Sequence, residues 1–397
     1  MKYILIDSDR HVVEPSAVWK NVDGYEVNYV HDTYEKMGER AERLGPDAAI
    51  QLPPDIYIGK FLILNSWGEN ERLASAYKSK NIQKKLGSGM TPEKQILSMN
   101  DSDIEQAAIF PSFAMYIVNH EKIPPRVSLE YACSYNKWLY EYCSISPKRL
   151  RAVGVISRHE PSNMVEQLKK VISNGWTSIT LRPEVICGRT LGHEDYNDFW
   201  AACEKHNIAV AFHGGTNLHA PTAGTDRFTS RFAMHACSHP MEAQMAFVSL
   251  LESGVLERYP RLKFAFLEAG ASWVPHWLWR LDNICYPEFP TLVEENIKML
   301  PSEYFKRQCW VGIELGEPCL REVIDVIGHD KLLYGSDFPH PDHLQFTTED
   351  IAQQLEELTE IELQAVLEQN AKDFYGFEDI KNEEVLFKSE DRLAEVN

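Results

Sequence analysis

The sequence contains no long apolar run and no excess of basic residues, and each absence excludes a class of protein. No stretch of about 18 uncharged apolar residues occurs in the 397 residues, so no transmembrane helix is expected. Asp and Glu outnumber Lys and Arg by 59 to 40, and the formal charge of −19 would repel nucleic acid and anionic membranes. We therefore expect neither as a partner.

Closely spaced cysteines and a secretory leader are absent too. The eight cysteines include no Cys-x-x-Cys pair and are spread over a long chain, which predicts reduced thiols in a cytoplasmic protein. The first residues, MKYILIDSD, have an apolar run of only four residues before an acidic residue. Such a short run is not typical of a signal peptide.

Short apolar runs alternate with helical patterns along most of the chain. Such runs are typical of strands buried on both faces, and their alternation with helices favours parallel strands with right-handed crossovers. We predict an α/β fold, a (β/α)₈ TIM-type barrel that forms a single domain over residues 1–377. The eight runs are YILI (3–6), AAIF (107–110), AVGVI (152–156), SITL (178–181), AVAF (209–212), KFAFL (263–267), CWVGI (309–313) and KLLY (331–334).

Two parts of the chain do not follow this alternation. Residues 19–100 are polar and interrupted by Pro and Gly, and we predict that they form a cap inserted between the first two strands. A surface excursion without a role is the alternative. Residues 378–397 are charged and amphipathic, and they are expected to form a C-terminal arm for packing or subunit contact.

Residue types that bind metals follow several of the apolar runs. Asp9 and His11 follow the first run, and residues two apart on a strand point the same way. His213, Glu268 and Asp337 follow the fifth, sixth and eighth runs. For each alone, a structural histidine or a helix-capping carboxylate is the alternative. Together they would meet at the carboxyl ends of the strands, where their mutual repulsion predicts a divalent cation facing Asp337.

Several motifs together resemble the amidohydrolase superfamily, and more narrowly its amidohydrolase-related branch. That branch includes aminocarboxymuconate-semialdehyde decarboxylase and the resorcylate decarboxylases. The resemblance covers residues 1–18 and about 100–377. It rests on Asp-x-Asp-x-His-x-x-Glu-Pro (7–15), His213, RYPRLKFAFLEAGASWVPHWLWRLD (258–282), GSDFPHPD (335–342) and the closing segment LEQNAKDFYGF (367–377).

The resemblance implies a metal centre of one divalent ion, Zn²⁺ or Mn²⁺, and a homodimer. The implied ligands are Asp9, His11, His213 and Asp337. The chain departs from the family pattern at three positions. Asp9 stands where many members have the first histidine of a His-x-His motif, and Glu268 stands where the decarboxylases have a histidine. Arg182 stands where dinuclear members have a carbamylated lysine, so a single ion is expected.

Three further residues have predicted catalytic roles. Glu268 is expected to take a proton from a metal-activated water and return it to a leaving group, with a structural carboxylate as the alternative. His239, just before a helix predicted from Met241, would orient the substrate or act as an acid, unless it only begins the helix. Arg182 would bind a substrate carboxylate or pair with an acid of the site. His340 is expected outside the ligand set.

These residues support three hypotheses about function. The first is hydrolysis of a small amide, lactone or related carbonyl compound, because three carboxylates beside one ion disfavour an anionic substrate. The second is metal-dependent, non-oxidative decarboxylation of a small aromatic or unsaturated acid, which the branch resemblance favours. The third is a non-catalytic metal-binding barrel, which fits poorly with a ligand set that leaves coordination positions open.

Overall fold

The structure is a computed structural model that describes residues 4–30, 55–64, 89–215, 222–340 and 348–380. As predicted, eight parallel strands form a barrel. A small antiparallel sheet of β2, β3 and β4 is inserted in the sequence between the first two barrel strands, β1 and β5. The strands are Leu5–His11 (β1), Val27–Val30 (β2), Asp55–Ile58 (β3), Phe61–Leu64 (β4), Ile104–Phe110 (β5), Leu150–Ala152 (β6), Gly154–Val155 (β7), Ser178–Leu181 (β8), Ala209–His213 (β9), Phe264–Leu267 (β10), Cys309–Ile313 (β11) and Leu332–Tyr334 (β12).

The barrel is closed at two seams by backbone hydrogen bonds. β6 and β7 are one barrel strand interrupted only at Val153, whose N–H donates to the carbonyl of Ile109 at 3.1 Å. This residue makes the sheet β1–β5–β6 continuous with the sheet that runs from β7 to β12. At the other seam, the N–H of Asp337 donates to the carbonyl of Asp9 at 2.8 Å. The last strand therefore meets the first strand at the predicted site.

Helices follow the barrel strands and cover them on the outside. The α-helices are Pro92–Asp101 (α1), Ala114–Val118 (α2), Pro125–Cys143 (α3), Met164–Ser173 (α4), Asn197–Lys205 (α5), Arg231–Glu252 (α6), Val255–Arg258 (α7), Val274–Arg280 (α8), Tyr286–Glu288 (α9), Pro290–Val293 (α10), Pro301–Gln308 (α11), Leu320–Ile327 (α12), Thr348–Gln354 (α13), Glu360–Gln364 (α14) and Asn370–Tyr375 (α15), with π-helical turns at Leu281–Cys285 and Ala365–Gln369 and 3₁₀ turns at Ser16–Val18, Pro161–Asn163, Glu194–Tyr196 and His329–Lys331.

The apolar core has two layers. The larger layer lies between the strands and the surrounding helices, and the smaller one fills the inside of the barrel. Ala209 and Ala265 belong to the inner layer, where Phe374 and Tyr375 of α15 also pack. The ring of Phe374 lies 5.3 Å from that of Trp310 near the start of β11. The C-terminal helix therefore closes the amino ends of the strands and leaves the carboxyl ends for chemistry.

The first strand is longer than its apolar run predicts. The prediction covered residues 3–6, but β1 extends from Leu5 to His11, and all seven of its residues are buried. The predicted run ends at Ile6 because strands are recognised by their apolar residues, while Asp9 and His11 are expected to continue the alternation of the strand. Here the buried polar side chains contact one another, so Asp9 and His11 lie on the strand itself.

The predicted cap and the C-terminal arm are only partly covered by the described residues. In the cap, Ile56, Ile58 and Ile63 of the small sheet are buried in the core. Residues 31–54 and 65–88 lie outside the described residues, and the cap role stays a prediction. The arm from 381 onward also lies outside them. Within the described ranges, no helix is long and apolar enough to span a bilayer.

Candidate metal centre

The first barrel strand places Asp9 and His11 side by side at the barrel mouth. Both residues are buried, and Asp9 Oδ1 lies 3.2 Å from His11 Nε2. The pairing of β1 with β5 shifts register between Asp7 and Arg10. Irregularities of this kind re-aim side chains near functional sites. The predicted convergence of the two side chains is therefore present in the structure.

Two more strands add His213 and Asp337 to the same cluster. β9 ends at His213, whose Nε2 lies 3.3 Å from Asp9 Oδ2. Asp337 follows β12, and its Oδ1 lies 3.0 Å from His11 Nε2. The φ angle of Asp337 is +48°, a conformation that is uncommon for residues with a side chain and is concentrated at functional sites. The structure thus brings the four implied ligands together.

Gly335 allows the last strand to approach the first one closely. A Cβ atom on Gly335 would lie 2.6 Å from the Cβ of Asp9, which is closer than real Cβ atoms come to their neighbours. A larger residue would push the turn that carries Asp337 away from β1. Glycine at this position is therefore a requirement of the cluster.

The donor atoms of this cluster fit a divalent ion. Their contacts of 3.0 to 3.3 Å match the edge of a coordination polyhedron, which is about 3 Å for bonds of about 2.1 Å. Asp9 Oδ1, His11 Nε2 and His213 Nε2 are buried without a hydrogen-bond partner of good geometry among the described residues. Because buried polar atoms are nearly always paired, these atoms point to a bound group. Imidazole nitrogens with carboxylate oxygens suit Zn²⁺ or Mn²⁺.

Backbone carbonyls orient both histidines of the cluster. His11 Nδ1 lies 2.8 Å from the carbonyl oxygen of Pro111, and His213 Nδ1 lies 3.2 Å from that of Gly214. A carbonyl oxygen can only accept a hydrogen bond, so the proton of each ring belongs on Nδ1. Nε2 is then left with the lone pair that metal coordination needs.

The cluster keeps its carboxylates ionised. Burial opposes ionisation of Asp9, but the neighbouring charges of His213 and His11 outweigh burial and lower the pKa of Asp9 to about 2. Burial also opposes ionisation of Asp337, but His340 and His11 outweigh burial and hold the pKa of Asp337 well below the ordinary value. Ionised carboxylates are the form that binds metal ions, so these side chains are ready to bind a cation.

Glu268, which is partly buried, and the buried His239 form a pair beside the cluster. Glu268 Oε2 lies 3.5 Å from His239 Nε2 and 3.5 Å from His213 Nδ1. Burial disfavours the charged form of His239, but Glu268 more than offsets it and raises the pKa of His239. Burial would raise the pKa of Glu268, whereas His239 lowers it below its ordinary value. These opposite shifts favour the form of the pair with the proton on His239 and the negative charge on Glu268, next to the implied ligands.

The structure corrects the predicted position of His239. The expected helix began at Met241, but α6 begins at Arg231, so His239 lies inside a helix of 22 residues. Pro240 is also inside this helix, and a proline normally indicates a helix start. The reading of His239 as a helix-entry residue is therefore wrong. A Cβ atom on Gly214 would lie 3.2 Å from the ring of His239, which explains why a glycine follows His213.

Arg182 contacts an acid, which is the alternative raised for it. Its Nε donates to Glu184 Oε2 at 2.9 Å, and its Nη2 contacts Glu184 Oε1. Nη2 also donates to the carbonyl of Gly215 at 3.0 Å. Gly215 has a φ angle of +149°, and a Cβ there would lie 2.6 Å from the hydroxyl oxygen of Tyr116. Arg182 thus supports the turn after His213, and its binding of a substrate carboxylate stays a prediction.

Three contacts near the site were missed by sequence reasoning. They are the pair of Arg182 with Glu184, the approach of Glu242 to that pair, and the contact of His340 with Asp337. The spacing of His239 and Glu242, three residues apart on one helix, is a signal that could have found the second contact. The other two contacts join residues two and three apart in the chain, and they depend on the backbone conformation of the turns after β8 and β12.

Glu242 makes the stability of the folded protein depend on pH. Its Oε1 accepts a hydrogen bond from the N–H of Ala223 at 2.5 Å, and the side chain is buried. Burial and the negative charge of Glu184 raise the pKa of Glu242 to about 7, with partial relief from the Ala223 N–H and from Arg182. The folded protein therefore holds this proton to a higher pH than the unfolded chain, and stability falls as pH rises from about 4.5 to 7.

We expect Glu242→Gln to remove this pH dependence. Glutamine cannot ionise but retains an oxygen for the Ala223 N–H, so the variant should match the wild type at pH 4.5. Above pH 7 it should be more stable by on the order of 1 to 3 kcal/mol, since a tenfold change in proton affinity is worth about 1.4 kcal/mol. Thermal unfolding between pH 4.5 and 8.5 measures this difference. Glu252→Gln, at the exposed end of the same helix, is the control. Parallel stability curves for Glu242→Gln and wild type would contradict the prediction.

A family model described as amidohydrolase matches residues 10–377. The chain belongs to the amidohydrolase family. The match extends from the end of β1, which includes His11, to the closing helix, in agreement with the resemblance noted in the sequence.

The relatives place the chain in the predicted amidohydrolase-related branch of the family. This amidohydrolase is 24% identical over 286 residues to 2-amino-3-carboxymuconate-6-semialdehyde decarboxylase of Dictyostelium discoideum, covering 72% of this chain and 76% of the relative. An amidohydrolase structure from Mycobacterium avium subsp. paratuberculosis K-10 matches with a TM-score of 0.69 and 20% identity, over 95% of this chain and 100% of that one. Manganese-bound 5-carboxyvanillate decarboxylase from Novosphingobium aromaticivorans matches with a TM-score of 0.67 and 16% identity, over 94% and 97%.

The comparisons confirm the barrel and the branch, and they indicate an enzyme. The chain is a hydrolase or a carboxy-lyase of the amidohydrolase superfamily. The hypothesis of a non-catalytic barrel is set aside by this membership. Of the remaining two hypotheses, the relatives favour decarboxylation. The sequence alone had favoured hydrolysis.

Proposed function

We propose that this amidohydrolase is a metal-dependent decarboxylase of a small aromatic or unsaturated carboxylic acid. Named decarboxylases among the relatives support this class of reaction. Asp9, His11, His213 and Asp337 would hold one divalent ion, Zn²⁺ or Mn²⁺. When bound, the ion supplies a positive charge that binds the substrate carboxylate and a neighbouring oxygen.

The observation that carries this proposal is the pair of His239 and Glu268 beside the four implied ligands. Decarboxylation replaces a carboxylate with hydrogen, so it needs a proton donor close to the anion-binding site. His239 Nε2 lies 3.5 Å from Glu268 Oε2, which in turn lies 3.5 Å from His213. In the reaction, the carbon–carbon bond to the carboxylate breaks and carbon dioxide leaves. The electron pair stays on the substrate carbon, and the pair of His239 and Glu268 supplies its proton.

The charge argument that favoured hydrolysis is weaker in the folded protein. It counted the carboxylates of Asp9, Glu268 and Asp337 against a single ion. In the structure, Glu268 Oε2 lies 3.5 Å from His239 Nε2, and this contact outweighs burial and raises the pKa of His239. The proton favoured on His239 offsets the charge of Glu268. The barrel mouth is therefore less negative than the sequence suggests, and an anionic acid is an acceptable substrate.

Hydrolysis is the second candidate, and the carboxylate of Glu268 favours it. A carboxylate beside the ligand cluster is a suitable base for water, and it stands where the decarboxylase pattern has a histidine. Homodimer formation and cytoplasmic localisation stay predictions. Both candidates take a small-molecule substrate.

The function is tested by following two products at once. Protein loaded with Zn²⁺ or Mn²⁺ is incubated with a panel of hydroxybenzoic acids, unsaturated acids, amides and lactones, while carbon dioxide and product masses are recorded. We expect carbon dioxide release and products lighter by the mass of carbon dioxide, only with metal-loaded protein. Products whose combined mass exceeds that of the substrate by one water, without carbon dioxide, would overturn decarboxylation in favour of hydrolysis.

A further inference from the structure

The carboxylate of Asp337 needs support from outside its own strand. β12 has only three residues, and Asp337 lies three residues beyond its end with a φ angle of +48°. The sheet therefore does not set the direction of this side chain as it sets that of His213. The backbone is fixed by the hydrogen bond from the Asp337 N–H to the carbonyl of Asp9. Something else has to hold the carboxylate toward the cluster.

His340 contacts this carboxylate from the turn that follows. Its Nδ1 lies 2.8 Å from Asp337 Oδ1, at hydrogen-bond distance. The N–H of His340 also donates to the carbonyl of Asp337 at 2.9 Å, which closes the turn between the two residues. One residue thus fixes both the main chain and the side chain of Asp337.

Ser112 anchors the far side of the His340 ring. Ser112 Oγ donates to the carbonyl of Val12 at 2.7 Å, which uses its only proton. The same oxygen lies 2.8 Å from His340 Nε2, at hydrogen-bond distance. The ring of His340 is held at both nitrogens, by Ser112 on one side and by Asp337 on the other.

The neighbouring residue Pro111 holds His11 in a similar way. Its carbonyl oxygen binds His11 Nδ1 at 2.8 Å, and the rings of His11 and His340 lie 4.2 Å apart. Consecutive residues after β5 thus support two rings that both reach Asp337. Outer contacts of this kind orient metal ligands in proteins.

We propose that His340, anchored by Ser112, is a positioning residue that fixes the carboxylate of Asp337 for the metal ion without binding the ion itself. This inference rests on the metal site of the proposed function and is independent of the reaction. It predicts that removal of the His340 ring weakens metal binding while the four ligands stay in place.

The test measures metal affinity in the absence of substrate, by competition with a chromophoric chelator for Zn²⁺. His340→Ala should bind the ion roughly 10- to 100-fold more weakly than the wild type. His340→Asn should restore most of the affinity, because its amide N–H takes the place of Nδ1. Ser112→Ala should give a smaller loss. His206→Ala, an exposed histidine at the opposite end of the barrel, should bind normally.

Absorption spectra of the Co²⁺-loaded variants separate positioning from coordination. The bands of His340→Asn and Ser112→Ala should match those of the wild type, because the set of ligands is unchanged. Normal Zn²⁺ affinity in His340→Ala, or no rescue by Asn, would overturn the proposal. A change of Co²⁺ coordination in His340→Asn would overturn it too, because His340 would then be a ligand. Failure of decarboxylation alone leaves these measurements unaffected.

Discussion

His213→Ala is expected to lose the bound ion and nearly all activity while the barrel remains folded. The variant removes one of two neutral nitrogen ligands and leaves a gap next to Asp9, 3.3 Å from the missing Nε2. The metal content, measured by elemental analysis, should fall from about one equivalent to near zero, as expected for a centre with only four protein ligands. Turnover should fall to that of the metal-free wild type.

Asp337→Ala and its isosteric counterpart Asp337→Asn should behave in the same way. Both remove the ionised carboxylate whose Oδ1 lies 3.0 Å from His11 Nε2. Thr180→Val is a matched control, since it changes a buried polar residue outside the cluster, on strand β8 next to β9. This control should keep its metal. A full equivalent of metal in the His213 or Asp337 variants would remove that residue from the ligand set.

Glu268→Gln is expected to lower kcat by roughly 10²- to 10⁴-fold while the ion stays bound. Glutamine preserves the size of the side chain and leaves Asp9, His11, His213 and Asp337 unchanged. It removes the negative charge that keeps the proton on His239, 3.5 Å away. Metal content and thermal unfolding should be close to those of the wild type, as they should be for the control Glu252→Gln.

The pH–rate profile of Glu268→Gln distinguishes the two candidate reactions. For decarboxylation, His239 is the proton donor, and activity is lost as pH rises through its pKa, which Glu268 raises despite burial. Without Glu268 that pKa falls, so the alkaline limb should move to lower pH. For hydrolysis, Glu268 is the base, and the acidic limb of the profile should change instead.

Two results would remove Glu268 from the chemistry. One is a near-normal kcat with both limbs of the profile in place. The other is a drop in the melting temperature without a change of either limb, as expected for a structural carboxylate. His239→Gln would then become the decisive variant, because His239 would be the remaining candidate for the proton donor.

The barrel was predictable from the sequence because its evidence is local. Strands such as Ala209–His213 and Cys309–Ile313 are buried on both faces, so each appears as a continuous apolar run. The same rule failed where buried residues are polar. The apolar run ends at Ile6, yet the strand continues to His11, and Asp7 is buried and accepts hydrogen bonds from the N–H groups of Asp9 and Ser336.

The start of α6 shows the same limit in a helix. Ser-His-Pro at residues 238–240 is typical of a helix start, yet the helix begins nine residues before Pro240. Packing of His239 against Gly214 and Glu268 outweighs the local preference. Tertiary contacts commonly override propensity in this way. The role of His239 could be suspected from its residue type, but its position could not.

The sequence by itself determined which residues could form the metal centre, and the tertiary structure decided how they are held and balanced. Asp9, His11, His213 and Asp337 were found because the carboxyl ends of parallel strands meet at one barrel mouth. The pair of Glu268 with His239 depends on where α6 returns to that mouth. The pairs of Arg182 with Glu184 and of Asp337 with His340 depend on turns that bring residues two and three apart into contact. Charges counted along the sequence carry no distances, and electrostatic energy depends on distance and burial. This is why the charge count took no account of His239 beside Glu268 and favoured hydrolysis, whereas the relatives favour decarboxylation.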